Sequence, residues 1–257
     1  MGRVPRARDL LRREPSTDLE DRLFLETTSR LAPQRLADVD VRTALELLQP
    51  DPLRPLADLG CGFGRHLKAL VAEGAAHVIG VDRSALLLAE ARARVPQALL
   101  VRADLRALPL KARSLGGATC FYSSFAMSSH EDARAALAEA ARALHPGARL
   151  VLTTDNPLRL EASPESDFVD QVPGLGRVAE RSRFDARTRT DLVERELVRP
   201  GGEKLSATWR IRYYLPGELA ELARTAGLEF LRLEPDLRLK AETPQLVALM
   251  QRARGRV

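Results

Sequence analysis

The chain has 257 residues and a net charge of +5, and it is 45% hydrophobic and 29% charged. This composition is typical of a soluble globular protein, either one large domain or one domain with an insertion. No apolar run approaches the roughly 18 residues of a membrane span, and the arginine-rich N-terminus lacks the apolar stretch of a secretory signal. We therefore predict a cytoplasmic protein without a membrane partner.

The distribution of charged residues, cysteines and histidines indicates which partners, which redox compartment and which metal sites the sequence predicts. The arginines are scattered among acidic residues, which is typical of a solvated surface with ion pairs, although a nucleic-acid partner is not excluded. Cys61 and Cys120 are predicted to be small buried thiols in a reducing compartment. The four histidines are too far apart in sequence to indicate a metal site.

Residues 1–50 are predicted to form an N-terminal helical arm or lid. Residues 1–15 are expected to be a loose arm, and Thr17-Asp18-Leu19-Glu20 resembles a capping box that opens a helix. A second helix is predicted over Val41–Leu48 from its apolar periodicity, and the prolines from Pro50 to Pro55 end it.

From residue 51 to residue 160, short apolar runs alternate with helical patterns. Such units form a parallel sheet with helices on both faces, and right-handed crossovers place the loops after the strands along one edge. The predicted strands are Leu56–Leu59, Val78–Val81, Ala98–Val101, Ala118–Phe121 and Arg149–Thr153. The predicted helices are Arg65–Glu73, Ser84–Arg94 and Asp132–Leu144.

The alternation stops over residues 161–214, which we predict to be a small antiparallel β insertion that covers the active-site edge. Pro164, Pro173 and the following glycines indicate a loop at its start. Residues 215–257 then return to the core domain. The β-like runs of the insertion are Arg177–Phe184, Asp191–Val198 and Leu205–Tyr213. The last elements are a helix over Pro216–Thr225, a strand over Leu228–Leu233, and a run Gln245–Met250 that its own pattern allows as strand or helix.

The loop after the first predicted strand carries the strongest local signal. Asp58 ends the strand, and Gly60, Gly62 and Gly64 follow at alternate positions. Glycine permits a positive φ and the close approach of a ligand, and the next helix offers unpaired N–H groups at its first turn. A dinucleotide fingerprint requires its third glycine where Arg65 stands. The spacing therefore predicts a nucleotide-like cofactor and disfavours a dehydrogenase.

Two further acids follow the next two strands. Asp82 ends the second predicted strand and Asp104 follows the third. An acid at the end of the second strand suits a ribose diol, because a carboxylate accepts hydrogen bonds from both hydroxyls. Asp58, Asp82 and Asp104 at three consecutive strand ends are a more specific signal than the glycines alone.

These segments resemble a known family. Residues 58–64 (Asp-Leu-Gly-Cys-Gly-Phe-Gly), 80–85 (Gly-Val-Asp-Arg-Ser-Ala) and 102–109 (Arg-Ala-Asp-Leu-Arg-Ala-Leu-Pro) are similar to the class I S-adenosylmethionine-dependent methyltransferases. The resemblance is close over residues 40–157. It implies a Rossmann-like, seven-stranded, mostly parallel sheet that ends in an antiparallel hairpin, with S-adenosyl-L-methionine as cofactor and S-adenosyl-L-homocysteine as product.

The resemblance also implies roles for residues. In the family, the glycine turn lies under the methionine part of the cofactor, the second acid holds the ribose, and the third acid meets the adenine amino group. Arg30 and Arg35 in the predicted lid are candidates for the cofactor's carboxylate. The residues implied to bind the cofactor are Asp58, Gly60, Cys61, Gly62, Gly64, Asp82, Arg83, Asp104, Leu105 and Phe121.

The segment Phe121–Phe125 lies, in the family, between the cofactor's methyl group and the substrate. Tyr122 is therefore a candidate catalytic residue that orients the acceptor, and His130 is a candidate for proton removal because histidine titrates near neutrality. The arginines of the insertion favour an anionic acceptor. The candidate substrate-binding residues are Tyr122, Ser123, Arg212 and Tyr214.

The interpretation favoured by these signals is a methyltransferase that acts on a small molecule by in-line displacement, as a monomer or homodimer. Asn156-Pro157 is interpreted as a turn, and the absence of an Asn-Pro-Pro-aromatic motif after the fourth strand disfavours methylation of base amino groups. An RNA or protein methyltransferase of the same fold remains open because of the positive charge. A non-catalytic S-adenosylmethionine-binding protein also remains open, although the three acids disfavour it.

Overall fold

The computed structural model describes residues 18–126, 129–234 and 245–254. The predicted arm over residues 1–15 and Thr17 of the predicted capping box lie outside this part. Two N-terminal helices, α1 (Asp18–Leu31) and α2 (Gln34–Leu48), come first. Helix α2 begins well before the predicted Val41, because Pro33 adopts an extended conformation and starts the helix there. The small apolar side chain of Ala37 is buried in its first turns and is a weak sequence signal.

The central domain alternates strands and helices as predicted. Its strands are β1 (Leu56–Leu59), β2 (Val78–Asp82), β3 (Leu99–Arg102), β4 (Leu115–Cys120) and β5 (Leu144–Asp155). Its helices are α3 (Arg65–Ala72), α4 (Ala85–Arg94), α5 (His130–Ala143) and the short α6 (Pro157–Ala162), with a 3₁₀ turn at Ser124–Ala126. The prediction of a turn at Asn156-Pro157 was wrong, because Asn156 caps α6 by accepting a hydrogen bond from the Leu158 N–H at 3.0 Å.

The insertion contains β6 (Glu165–Val172), β7 (Gly176–Asp185), β8 (Thr190–Val198) and β9 (Lys204–Arg212), and the chain closes with α7 (Pro216–Thr225), β10 (Leu228–Glu234) and β11 (Gln245–Arg252). The loop predicted before Arg177 was wrong, because β6 occupies it and makes a fourth strand. Residues 165–171 are exposed, so this edge strand lacks the alternation of buried and polar residues that marks a strand in sequence. The run Gln245–Met250 is a strand.

The large sheet has seven strands in the order β10-β11-β5-β4-β1-β2-β3. Strands β1 to β5 are parallel, and β11 pairs antiparallel with both β5 and β10. This topology confirms the predicted Rossmann-like sheet with its closing antiparallel hairpin. The loops after β1, β2, β3 and β4 therefore lie along one edge, where doubly wound sheets bind their ligands.

Successive residues of each strand point to opposite faces of this sheet. Leu56 and Val78 belong to the apolar cluster beneath α2, α3 and α4. Ala57 and Ile79, the next residues along each strand, belong to the cluster beneath α5 and α7. Burial on both faces explains why the strands appear in the sequence as short, nearly continuous apolar runs.

The insertion forms a separate four-stranded antiparallel sheet in the order β6-β7-β8-β9. Leu23 of α1 is fully buried in an apolar cluster with Val178, Leu197 and Leu205 of this sheet. Arg199 of the β8–β9 turn also pairs with Glu26 of α1 at 2.6 Å. Helix α1 and the insertion are thus joined into one unit, which we call the cap. Within the ranges given above, no helix is long and apolar enough to cross a membrane.

Candidate active site

A cavity of about 510 Å³ lies at the edge of the large sheet where β1 to β4 end. Its floor consists of the loops after these strands, and α1 covers it. The insertion reaches it through Arg195 and Trp209. The cavity therefore lies between the central sheet and the cap.

The three glycines of the first loop have positive φ angles of 81° (Gly60), 52° (Gly62) and 82° (Gly64). A Cβ on Gly60 would lie 2.7 Å from the Oγ of Ser124, and one on Gly64 would lie 3.1 Å from the Cβ of Ala91. A Cβ on Gly62 would meet nothing closer than a ring atom of Phe24 at 3.9 Å. Only Gly62 of the three therefore leaves open space that a ligand can use.

Asp82 ends β2 and organises the adjoining loops. Its carboxylate accepts hydrogen bonds from the backbone N–H groups of Gly62 at 2.8 Å and Ser84 at 2.9 Å. Burial raises the pKa of Asp82 above its ordinary value, and these two hydrogen bonds oppose the rise. Each carboxylate oxygen has a further lone pair, so Asp82 is able to accept additional hydroxyl donors from a ligand in the cavity.

Asp104, after β3, is held by an arginine that the sequence analysis did not single out. Arg106 forms a bidentate pair with it, with Nε to Oδ1 at 2.9 Å and Nη2 to Oδ2 at 2.7 Å. The Nη1 of Arg106 also donates to Asp132 at 2.7 Å, at the start of α5. Arg106 therefore fixes the direction of the Asp104 carboxylate and connects the β3 loop to the next helix.

Asp58 lies below the glycine loop and is 1% exposed. Its Oδ1 accepts a hydrogen bond from the Thr119 hydroxyl at 3.0 Å, and its Oδ2 has no partner among the described residues. Burial raises the pKa of Asp58 to about 6, while His66, Thr119 and Arg65 act in the opposite direction. Cys61 and Cys120 are both free and buried, as predicted.

Tyr122, in the loop after β4, is hydrogen-bonded to helix α2. Its hydroxyl donates to the Oδ2 of Asp40 at 2.8 Å, and the same oxygen lies 3.3 Å from Nε2 of His66. The His66 ring stacks on Phe121 with centroids 4.1 Å apart. Burial, together with the carboxylate of Asp40, raises the pKa of Tyr122 to about 12, so the phenol keeps its proton at neutral pH. Tyr122 is therefore available to a ligand as a neutral hydrogen-bonding group.

Tyr122 and Ser123 both have positive φ angles, 53° and 59°. This uncommon conformation is held by β5, because Thr153 accepts hydrogen bonds from the N–H of Tyr122 through its hydroxyl and from the N–H of Ser123 through its carbonyl. The strained turn directs Tyr122 towards the cavity and buries Ser123, whose hydroxyl donates to Thr154 at 2.8 Å.

The structure brings most of the predicted cofactor residues to one place. The predicted residues that line the cavity are Gly60, Cys61, Gly62, Asp82, Arg83, Asp104, Leu105, Phe121 and Tyr122. Asp58 lies below the loop, Gly64 packs on α4, and Ser123 is buried behind Tyr122. The roles assigned to these residues by the resemblance stay predictions.

Three predicted residues form a separate group that does not line the cavity. The rings of His130 and Tyr214 have centroids 5.7 Å apart, and the guanidinium of Arg212 lies 5.2 Å from the Tyr214 ring centroid. Tyr214 is fully buried, and His130 is the exposed first residue of α5.

The sequence analysis missed four residues that line the cavity, namely Arg65, Arg106, Arg195 and Trp209. Of these, only Arg65 had a signal, its position directly after the glycine loop.

Comparisons with known proteins agree with this geometry. Residues 56–147 match the model of a family described as "Methyltransferase domain". A trans-aconitate 2-methyltransferase of Escherichia coli is 44% identical over 69 residues, which are 25% of this chain and 27% of that protein. The chain spans less than half the length of the curated relatives that it matches.

Solved structures resemble nearly the whole fold. The CcbJ methyltransferase from Streptomyces caelestis has a TM-score of 0.74 at 22% identity, over 87% of this chain and 98% of that one. The S-adenosylmethionine-bound CalS10, an amino pentose methyltransferase from Micromonospora echinaspora, has a TM-score of 0.61 at 21% identity, over 98% and 99% of the two chains. At these identities the likeness establishes the fold. Residues 56–147 thus match a methyltransferase domain, and the sheet order and the strand-end acids agree with the predicted resemblance to the class I S-adenosylmethionine-dependent methyltransferases.

Proposed function

We propose that this protein transfers the methyl group of S-adenosylmethionine to a small-molecule acceptor. The observation that carries the proposal is the convergence of Gly62, Asp82 and Asp104 on one covered cavity, with Tyr122 on its wall. A floor of this kind suits an adenosyl group, and a covered cavity beside it suits a compact acceptor.

The residues present fit the cofactor. The space over Gly62 is open, which allows a ligand to approach the backbone closely. Asp82 is the acid that would accept from the ribose hydroxyls, and Asp104, held in direction by Arg106, would accept from the adenine amino group. One buried polar atom of the cavity lining, Nη1 of Arg65, has no partner among the described residues and suits an anionic ligand group.

The bound cofactor supplies a methyl group that is already strongly electrophilic. The protein therefore has to align the acceptor with it and exclude water, and alignment contributes about 7–11 kcal/mol at best. The cap lines one side of the cavity, and we assign it the exclusion of water from that side. Tyr122 orients the acceptor through its hydroxyl, which Asp40 holds in place. A strong general base is not required for this function.

The named relatives point to two acceptor chemistries. One acts on trans-aconitate, a small polycarboxylate, and one on an amino pentose. We place the acceptor of this protein among small polar metabolites of this size. Arg65 lines the cavity, and its Nη1 has no partner among the described residues, which favours an acid over an amine.

The test has a binding arm and a transfer arm. Calorimetry should show micromolar binding of S-adenosylmethionine and S-adenosylhomocysteine to the intact protein, and Asp82→Asn should weaken both by about tenfold or more, since hydrogen bonds to a charged group are lost. Glu229→Gln, a charge-matched change in β10 outside the cavity lining, is the control. Absence of binding to the wild-type protein would refute the proposal.

The transfer arm identifies the acceptor. Labelled S-adenosylmethionine is incubated with the protein and a metabolite extract, trans-aconitate, an amino pentose, or total RNA. We expect label in the small-molecule fraction. Label confined to RNA, or to protein, would overturn the small-molecule acceptor and favour a macromolecular substrate for the same fold.

A further inference from the structure

We propose that Arg65 is a carboxylate-binding residue of the cavity, an inference that rests on the proposed function and names the ligand group this site binds. Arg65 is the first residue of α3, directly after the glycine loop, and it lines the cavity while being only 9% exposed. Its Nη1 is buried and has no hydrogen-bond partner among the residues that the structure describes. A buried guanidinium with a free donor is costly unless a ligand pairs with it.

The other arginines of the cavity are already satisfied. Arg106 is paired with Asp104 and Asp132. Arg195 donates to Glu180 at 2.7 Å and to the hydroxyls of Thr27 and Thr28. Arg83 lies at the exposed rim, where water solvates it. Of the four, Arg65 is the one that combines burial with an unused donor.

The surroundings of Arg65 favour a carboxylate. The guanidinium lies 5.2 Å from the centroid of the Tyr122 ring, which fixes one face of it. The N-terminus of α3 adds the positive end of a helix dipole. No nearby acid forms an ion pair with Arg65 among the described residues: Asp40 accepts from Tyr122 and contacts His66, and Asp58, which accepts from Thr119, acts on Arg65 only through its charge. A planar carboxylate matches the donor geometry of a guanidinium.

Two ligands of a methyltransferase present a carboxylate here. One is the amino-acid end of the cofactor, and the other is an acidic acceptor placed against Tyr122. The lid arginines considered from sequence do not compete for this role, because Arg30 donates to the carbonyl of Pro173 at 3.3 Å and Arg35 is exposed, and neither lines the cavity.

The experiment has one arm for each source. In the first arm, calorimetry compares S-adenosylhomocysteine with its decarboxylated analogue on wild-type protein and on Arg65→Met. In the second arm, protein saturated with S-adenosylhomocysteine is titrated with benzoate and tricarballylate, and with benzamide as the neutral control. Arg42→Met, an exposed arginine of α2, makes the same charge change outside the cavity.

If Arg65 holds the cofactor's carboxylate, wild-type protein prefers S-adenosylhomocysteine over the decarboxylated analogue by about tenfold or more, and Arg65→Met abolishes this preference. If Arg65 holds the acceptor's carboxylate, Arg65→Met leaves cofactor affinity within about twofold and loses the binding of the acids. Arg65→Lys keeps the charge without the planar fork and is expected to recover part of the loss.

Equal behaviour of wild-type and Arg65→Met in both arms overturns the proposal. Thermal unfolding of each variant establishes that it is folded, and if Arg65→Met is not, Arg65→Lys decides the outcome. Binding of S-adenosylhomocysteine to the wild-type protein separates the role of Arg65 from the proposed function. If the wild-type protein binds S-adenosylhomocysteine, a negative result for Arg65→Met refutes the role of Arg65 alone. If the wild-type protein does not bind it, the proposed function fails as well.

Discussion

Gly60 and Ser124 are packed so closely that a Cβ on Gly60 would lie 2.7 Å from the Ser124 hydroxyl oxygen. Gly60 belongs to the loop after β1, and Ser124 follows β4. The hydroxyl of Ser124 donates a hydrogen bond to the backbone carbonyl of Phe121 at 2.9 Å. This contact holds together two loops that form the floor of the cavity. The first glycine of the loop is thus required by the protein itself, and the ligand has access at Gly62.

Gly60→Ala should destabilise the protein by about 2–4 kcal/mol, because the positive φ of 81° and the contact with Ser124 both penalise a side chain. Gly74→Ala is the matched control, since its φ is 90° but nothing lies within 4 Å of the added Cβ. The control should cost only about 1–2 kcal/mol. Urea unfolding measures both, and equal losses would show that the Ser124 contact contributes nothing.

The hydrogen bond between Tyr122 and Asp40 should stabilise the packing of α2 against the loop after β4. A double-mutant cycle with Tyr122→Phe and Asp40→Ala is expected to give a coupling energy of about 1 kcal/mol, because the pair is charge-assisted but partly exposed. Unfolding in urea provides the four stabilities. Additivity of the two single changes within about 0.3 kcal/mol would contradict the expectation.

Asp58 should make stability depend on pH in a defined direction. Its pKa is about 6 in the folded protein and 3.8 ordinarily, so the folded state binds the proton more tightly. The stabilisation linked to this proton is complete below about pH 4, falls as the pH rises through 6, and is constant above that. The Asp58→Asn variant lacks the titrating carboxyl group and therefore lacks this pH-dependent contribution to the unfolding free energy.

The unfolding free energy of Asp58→Asn relative to wild type should therefore rise by roughly 2–3 kcal/mol between pH 4 and pH 8. Denaturant unfolding of both proteins at the two pH values provides the comparison, and terms from other groups largely cancel in the difference. A difference that does not change with pH would mean that Asp58 titrates normally in the fold.

Arg106→Gln should destabilise the β3 loop, because Asp104 loses a bidentate partner and Asp132 loses a charged donor. The pair is partly exposed, so the expected loss is about 1–3 kcal/mol, with a fall in affinity for S-adenosylhomocysteine as Asp104 loses its fixed direction. Arg102→Gln is a nearby control, because the Nε of Arg102 donates to the backbone carbonyl of Arg83 and not to Asp104 or Asp132. An unchanged affinity would separate Asp104 from cofactor binding.

Much of the fold was predictable because its signals are local. Strands buried on both faces, such as β1 and β2, appear as apolar runs, and the glycines and acids stand at their ends in a fixed order. Helix α2 was placed late because its first turns carry little apolar area. Strand β6 was missed because an exposed edge strand has no alternation to detect.

The candidate site was predictable only where one loop supplied the whole signal. Asp82 and Tyr122 each follow a strand directly, and both line the cavity. Asp40 and Trp209 come from segments far away along the chain, and only tertiary packing brings them near the β4 loop and the cavity. Arg212 and Tyr214 were selected for residue type, and Tyr214 lies behind Phe125 of the cavity wall, so that neither of them belongs to the lining.

The cap has its own apolar cluster around Leu23 and Val178, distinct from the clusters that hold the central sheet together. Side chains such as Phe24 and Trp209 extend from the cap into the cavity. A mutant library confined to these inward-facing cap positions would therefore change the shape of the cavity on the cap side, while the floor formed by the loops after β1 to β4 keeps its own packing.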